Sequence, residues 1–165
     1  MIPSPTVRLR FRPMGHDDLE DMAALLGDPE VMAFYPRPKT RDEALQWIEW
    51  NLGGYRDHGH GLWIIETRDG EFLGDCGLTR QLVDGVQELE VGYHVRTAMQ
   101  GRGYATEAAA ACRDAALQHA LAEELVAIIH PDNGASRRVA EKIGMDRSGD
   151  DGEGDLRRTV MRLRL

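Results

Sequence analysis

Val7-Arg8-Leu9-Arg10-Phe11-Arg12 alternates apolar and charged residues, the period of a strand with one buried face, and Pro13 ends it. Leu19, Met22, Ala23, Leu25 and Leu26 then recur at helical spacing behind His16-Asp17-Asp18, so a carboxylate caps a first helix that Gly27 stops. Pro29 to Pro38 reads as a loop carrying Met32, Phe34 and Tyr35. Thr40 with Glu43 three residues on forms a reciprocal cap for a second helix through Ala44, Trp47, Ile48 and Leu52, closed by Gly53-Gly54.

Past the turn-rich segment His58-Gly59-His60-Gly61, the apolar runs Leu62 to Thr67 and Glu71 to Leu78 flank Arg68-Asp69-Gly70, a hairpin. Asp84-Gly85 marks a further antiparallel turn before a strand from Glu88 to Val95. Tyr104 to Leu121 is alanine-rich and free of Gly and Pro, a helix by propensity. Leu125 to His130 reads as a buried strand. Pro131-Asp132-Asn133 caps a short helix through Ile143, which Gly144 stops, and Leu156 to Leu165 is a last alternating strand. The pattern β-α-α-β-β-β-α-β-α-β predicts an α+β fold, a mixed and mostly antiparallel sheet with one parallel crossover from Glu88 to His130.

At 165 residues, 42% hydrophobic and 29% charged, the chain fits one domain spanning residues 1–165. Its net charge of -8 argues against a sequence-independent grip on nucleic acid, which needs a basic surface. No apolar run approaches the roughly 20 residues of a membrane helix, and the N-terminus has no basic-then-apolar leader, so a cytoplasmic location is expected. Cys76 and Cys112 stand singly in apolar stretches and read as reduced core thiols. His58-x-His60 has no third ligand nearby, and no metal is expected.

Gln100-Gly101-Arg102-Gly103-Tyr104-Ala105-Thr106 lies between the fourth strand and the alanine-rich helix, where free N–H groups and the helix dipole favour an anion, phosphate above all. Gly101 and Gly103 let the backbone approach such a group closely. A dinucleotide fingerprint would need glycine at Thr106, and a triphosphate loop would need Gly-Lys-Ser/Thr. On the loop alone, a strand turning into a helix through two glycines remains an equal reading. Gly92 tips the balance: a glycine inside a strand marks a bulge or a close approach, as of a ligand lying along it.

Gln100-x-x-Gly103-x-Ala105 resembles the Gln/Arg-x-x-Gly-x-Gly/Ala loop of the GNAT superfamily of acyl-CoA-dependent N-acetyltransferases. Asp28-Pro29-Glu30-Val31-Met32, Gly74-Asp75-Cys76-Gly77-Leu78, Glu90-Val91-Gly92-Tyr93 and Asn133-Gly134-Ala135-Ser136 through Gly144-Met145 are similar to its RimJ/RimL-type branch, in the right order along nearly the whole chain.

The resemblance implies a sheet splayed between the fourth and fifth strands, with flanking helices and acetyl-CoA in the splay. Its pantetheine would pair with backbone at Tyr93, His94 and Val95, and its pyrophosphate would rest on the N–H groups of Gly101 to Thr106. Asn133 and Ser136 match positions near the thioester, where helix capping is their ordinary role. A glutamate two residues before this glycine is the branch's candidate base, which assigns the role to Glu90, while a merely solvated strand carboxylate like Glu88 is the plain alternative. The oxyanion would be held by a backbone N–H at the Gly92 bulge. The tyrosine that many family members carry in the last helix is here Ala140, so the thiolate's proton would come from Ser136, the second catalytic candidate, or from solvent.

The acceptor pocket would draw on Phe34, Tyr35, Trp47 and Trp50, though aromatics at helical spacing are usually core. Asp75 and Glu88 would add negative potential for a cationic amine. The expected activity is acetyl transfer from acetyl-CoA to a primary amine, a protein N-terminus or a small molecule. Transfer of a larger acyl group such as succinyl, with Arg80 or Arg96 as its cations, is one alternative. A non-catalytic acyl-CoA sensor is another. A homodimer through the C-terminal strand or a sheet edge stays open.

Overall fold

The computed structural model describes all 165 residues. Seven strands form one sheet in the order β1-β2-β3-β4-β5-β7-β6. They are β1 (Leu9–Arg12), β2 (Leu62–Thr67), β3 (Phe72–Val83), β4 (Val86–Val95), β5 (Glu124–Ile129), β6 (Asp146–Asp151) and β7 (Arg158–Arg164). Four helices flank it: α1 (Leu19–Gly27), α2 (Arg41–His58), α3 (Tyr104–Gln118) and α4 (Gly134–Lys142). Only β4 and β5 run parallel; every other neighbouring pair is antiparallel, which is the expected α+β architecture.

Strand β2 shows how the layers are made. Leu62 and Ile64 belong to the apolar cluster of Met22, Leu26 and Ile48 from α1 and α2, whereas Trp63 and Ile65 belong to that of Ala109 and Cys112 from α3. Successive side chains of a strand point to opposite faces, so a strand covered on both reads as an unbroken apolar run. Cys76 and Cys112 are buried and unbridged in the α3-side core, with their sulfurs 3.6 Å apart.

Strands β3 and β4 form a long hairpin whose turn, Asp84-Gly85, has φ of 48° and 77°. Two left-handed residues give the turn whose twist suits paired strands. The register runs without a slip from Val83↔Val86 to Gly74↔Val95, placing Thr79 opposite Glu90, Gly77 opposite Gly92 and Asp75 opposite His94. Strands β4 and β5 share a single pair, Glu90↔Val126, and part beyond it. The splay therefore opens immediately after Glu90.

Several expectations need correction. The second helix does not close at Gly53-Gly54 but continues to His58, where Gly59 at φ 75° caps it. A Cβ on Gly54 would lie 2.9 Å from the His60 carbonyl, so this glycine makes room for the returning chain. Asp18 does not cap α1 with its side chain; its carboxylate accepts from the Gly15 N–H at 2.8 Å and pairs with Arg12 at 2.7 Å. A polar strand, β6, precedes the last one, and residues Gly154–Leu156 form a 3-10 turn rather than the start of β7. Strand β7 is paired on both sides, so it offers no edge for a dimer; β1 and β6 are the edges. Gly92 marks no bulge, because the β3–β4 register passes through it unbroken, and its Cβ would meet only the Leu62 side chain at 3.5 Å. The close approach is at its partner Gly77, where a Cβ would lie 2.0 Å from the Gly61 carbonyl oxygen.

Candidate active site

A cleft of ≈ 670 Å³ occupies the splay. Of the residues expected to hold the cofactor, Tyr93, His94, Val95, Gln100, Gly101, Gly103, Tyr104, Ala105, Thr106, Asn133 and Ser136 line it, and Arg102 does not. Glu90 lines it at the point where the strands part, with Phe34, Tyr35, Trp47 and Trp50 beyond. A more open depression of ≈ 970 Å³ beside β1 is lined by Arg12, Asp18 and Glu66, which are already paired with one another.

The loop end of the cleft is made of backbone. Gly101 and Gly103 have φ of 74° and 81°, a region other residues enter only at a cost, and Gly103 stands at the N-terminus of α3. The first N–H groups of a helix have no partner within it and are free for an anion. The loop is held from outside: Arg8 donates to Glu107 at 2.6 Å and to the Arg102 carbonyl at 2.8 Å, and its guanidinium lies 4.4 Å from the Tyr104 ring centroid. Asn133 caps α4, accepting from the Ser136 N–H at 3.1 Å. The Tyr93 hydroxyl donates to the Ser136 carbonyl at 2.8 Å and accepts from the Ser136 hydroxyl at 3.1 Å, tying β4 to the first turn of α4.

The other end is made of side chains. Glu90 accepts from the Thr79 hydroxyl at 3.0 Å, and burial pushes its carboxyl up to about 7 against the opposing hydrogen bonds from Thr79 and the Ile128 N–H. Glu88, two residues back, has both oxygens on the guanidinium of Arg162 from β7. Alternation puts the two glutamates on one face, and only Glu90 keeps an unpaired charge toward the cleft. Behind the wall His94 Nδ1 lies 2.7 Å from Asp75 Oδ1, His94 Nε2 lies 2.8 Å from the Tyr35 hydroxyl, and Trp47 Nε1 donates to Asp75 Oδ2 at 3.0 Å. Burial favours a neutral imidazole, but Asp75 and Tyr35 outweigh it and push His94 up to about 10.

A glycine-turned helix N-terminus facing a strand that has lost its parallel neighbour can receive a long phosphorylated thioester. The family model for the acetyltransferase (GNAT) domain matches residues 8–146. The chain belongs to the GNAT acetyltransferase family. As such it is an acyl-CoA-dependent N-acetyltransferase. This GNAT chain is 41% identical over 142 residues to the uncharacterized protein YkkB of Bacillus subtilis (strain 168), covering 85% of this chain and 83% of that one. An acetyltransferase from Agrobacterium tumefaciens (strain C58) superposes with a TM-score of 0.85 at 27% identity over 100% of this chain and 95% of its own. RimL, a ribosomal-protein α-N-acetyltransferase in complex with coenzyme A, shares the fold with a TM-score of 0.80 at 15% identity, covering 100% of this chain and 98% of that one.

Within the GNAT frame, three expectations about the acceptor end change. Asp75 is wholly buried and does not line the cleft, and Glu88 is neutralised by Arg162, so neither supplies the negative potential expected of it. Arg80 and Arg96 do not line the cleft either, which removes the cations proposed for a succinyl donor. The bulge expected at Gly92 is absent, and the edge of β4 beyond Glu90 has no ladder partner on β5. The ring of His60 is buried and donates from Nδ1 to the Leu78 carbonyl at 2.8 Å, with His58 stacked on it. Sequence reading missed Thr79, the Arg8–Glu107 brace and the Asp75–His94–Tyr35 chain. The signal for two of them was present, since counting outward from Asp84-Gly85 pairs Thr79 with Glu90 and Asp75 with His94.

Proposed function

We propose that the protein transfers the acetyl group of acetyl-CoA to a primary amine by direct attack, with Glu90 as general base. The observation that carries this reading is a cleft-lining carboxyl held near 7 at the point where the sheet splays. The neutral nitrogen adds to the thioester carbon, its proton passes to Glu90 directly or through a water, and the C–S bond breaks. Unladdered backbone N–H groups of β4 are available to the oxyanion. Pantetheine would lie along Tyr93, His94 and Val95, and the pyrophosphate at Gly101 to Thr106.

The acceptor class we favour is an α-amine, of a protein N-terminus as in the RimJ/RimL-type branch or of a small molecule. An α-amine titrates at about 7.7 to 8.0, close to Glu90, whereas a lysine-type amine at about 10.4 would reach such a base almost wholly protonated. The test is acetyl-CoA-dependent release of free thiol across N-terminal peptides, amino acids, aminoglycosides and polyamines, with Glu90→Gln alongside. Turnover on α-amines, reduced by on the order of 10²-fold or more in Glu90→Gln with acetyl-CoA affinity retained, is the expected result. Acetyl-CoA that protects the fold from heating yet is turned over on no amine would instead indicate a sensor.

A further inference from the structure

The arginines and lysines that line the cleft are Arg138, Lys142 and Arg158. The first two stand on α4, which packs on the α3 face of the sheet through Ala140. Arg158 opens β7 and belongs to the other face. Met161 of β7 lies in the α3-side core whereas Val160 packs with Val83 and Val126, so alternation carries Arg158 and Arg162 to the Val160 side. Arg162 reaches Glu88 there, and Glu88 shares its face with Glu90. Val126 pairs with both Glu90 and Arg162, so Arg158 stands four residues, about 13 Å along the strand, from the level of Glu90. It lies toward His130, where the cleft widens and Phe34 packs over it.

The two arginines of this face are used differently. Arg162 is taken up by the carboxylates of Glu88 and Glu124. Arg158 enters no ion pair; its Nη1 commits both hydrogens to the Asp155 and Arg157 carbonyls, at 3.2 and 2.8 Å, where the chain leaves the Gly154–Leu156 turn. Its Nε–H and Nη2–H, which point the same way, are left without a partner. That edge is the one a carboxylate takes with two parallel hydrogen bonds, and the backbone anchor orients it before a ligand arrives.

We infer that Arg158 is a specificity-determining residue that binds a carboxylate of the acceptor, and that the acceptor is a free α-amino acid, held with its amine toward Glu90 and its carboxylate on the Nε–Nη2 edge. The inference rests on the acyl-transfer reading above. In a protein N-terminus the carbon beside the α-amine carries a neutral amide, to which a guanidinium bonds more weakly than to a carboxylate. The exposed rings of Phe34, Tyr35 and Trp50 remain for the amino acid's side chain. Arg158 also acts on the amine: a free amino acid's own carboxylate holds its ammonium charged, and a cation paired with that carboxylate offsets the effect and eases proton loss. The C–N bond then forms as the C–S bond breaks, with the electron pair leaving on sulfur. The nitrogen gives one proton to Glu90 and the departing thiolate takes one up, while the carboxylate on Arg158 is unchanged.

The first comparison needs no variant. With acetyl-CoA as donor, wild-type kcat/KM is measured for free L-amino acids, for their amides and for peptides that begin with them, each taken on the neutral fraction of its amine. The free acid is expected to exceed its amide by on the order of 10-fold to 10²-fold. Arg158→Gln, with circular dichroism and Tm matching the wild type, is expected to raise KM for the amino acid by a similar factor and to bring the acid-to-amide ratio near one, with kcat and KM for acetyl-CoA within about twofold. Arg158→Lys keeps the charge without the paired edge and is expected to fall between. Equal use of acid and amide by the wild type would overturn the inference, as would a loss in Arg158→Gln that is the same for both, or a preference for peptides, acidic at their first residue or not. A preference for succinyl-CoA over acetyl-CoA that Arg158→Gln abolishes would place the edge on the acyl group and overturn it too. Turnover confined to polyamines or aminoglycosides would overturn the inference and leave acetyl transfer standing. Absence of wild-type turnover on every amine would overturn the acyl-transfer reading itself, and the inference with it.

Discussion

The two ends of the cleft are built from different materials. At the loop end the groups offered to a ligand are backbone N–H groups, set by Gly101, Gly103 and the start of α3. At the end proposed for the acceptor they are side chains, Glu90, Tyr35, Trp47 and Trp50, carried by a strand, a loop and a helix far apart in the chain. A backbone site tolerates most side-chain changes but not a change of φ, and a side-chain site has the opposite sensitivity. The first can serve one unchanging cofactor while the second is re-specified by single substitutions.

Substitutions at the paired floor glycines should separate these sensitivities most sharply. Gly77→Ala drives a Cβ to within 2.0 Å of the Gly61 carbonyl and should cost about 3 kcal/mol or more, read as a lower urea midpoint. Gly92→Ala meets only the Leu62 side chain at 3.5 Å, so its fold should survive while acetyl-CoA, in the proposed position along β4, binds more weakly in a thermal-shift titration.

Next in size is the acid limb of activity, where kcat/KM expressed on the neutral fraction of the amine should fall about tenfold per pH unit below about 7 as Glu90 takes up its proton. Stability carries the same proton with a definite sign. Between the ordinary value of 4.5 and about 7 the folded carboxyl holds a proton that the unfolded chain has lost, so this contribution favours folding at low pH and disappears as pH rises through 7. Glu90→Gln should therefore be more stable than wild type by roughly 3 kcal/mol at pH 8, and the gap should vanish near pH 4.5.

Gly103→Ala, forced to φ 81°, should lose about 1–2 kcal/mol, measured as reduced protection by acetyl-CoA with kcat retained. The smallest effect is expected at the neighbouring glutamate: Glu88→Gln should keep activity within about twofold and change stability by at most about 1 kcal/mol, since Arg162 retains Glu124 at 2.7 Å. A large activity loss there would erase the distinction between the two glutamates.

What could be read from the letters follows the same division. The reciprocal cap at Thr40 and Glu43, the tight turn at Asp84-Gly85 and the glycine loop are local, and each formed where the residues placed it. Strand β6, Asp-Arg-Ser-Gly-Asp-Asp, was invisible because an edge strand held by backbone pairing to β7 needs no apolar alternation. Gly54 read as a stop and is instead a contact, because the His60 carbonyl that fills its side-chain space returns only after Gly59 has turned the chain. Gly92 drew attention that belonged to Gly77. The crowding comes from β2, a neighbour that no local pattern names. Tyr35 and His94 are 59 positions apart, and only the docking of the loop on the sheet makes them one unit.

The lone β4–β5 rung belongs to Glu90. Strands β1 to β4 on one side and β5, β7 and β6 on the other are thus two plates touching at the apex of a wedge. When the opening angle of a wedge changes, points far along its arms travel furthest and the apex hardly moves. Breathing of the plates to admit or release a long ligand would sweep the wide mouth near His130 and leave the carboxylate in register with both plates.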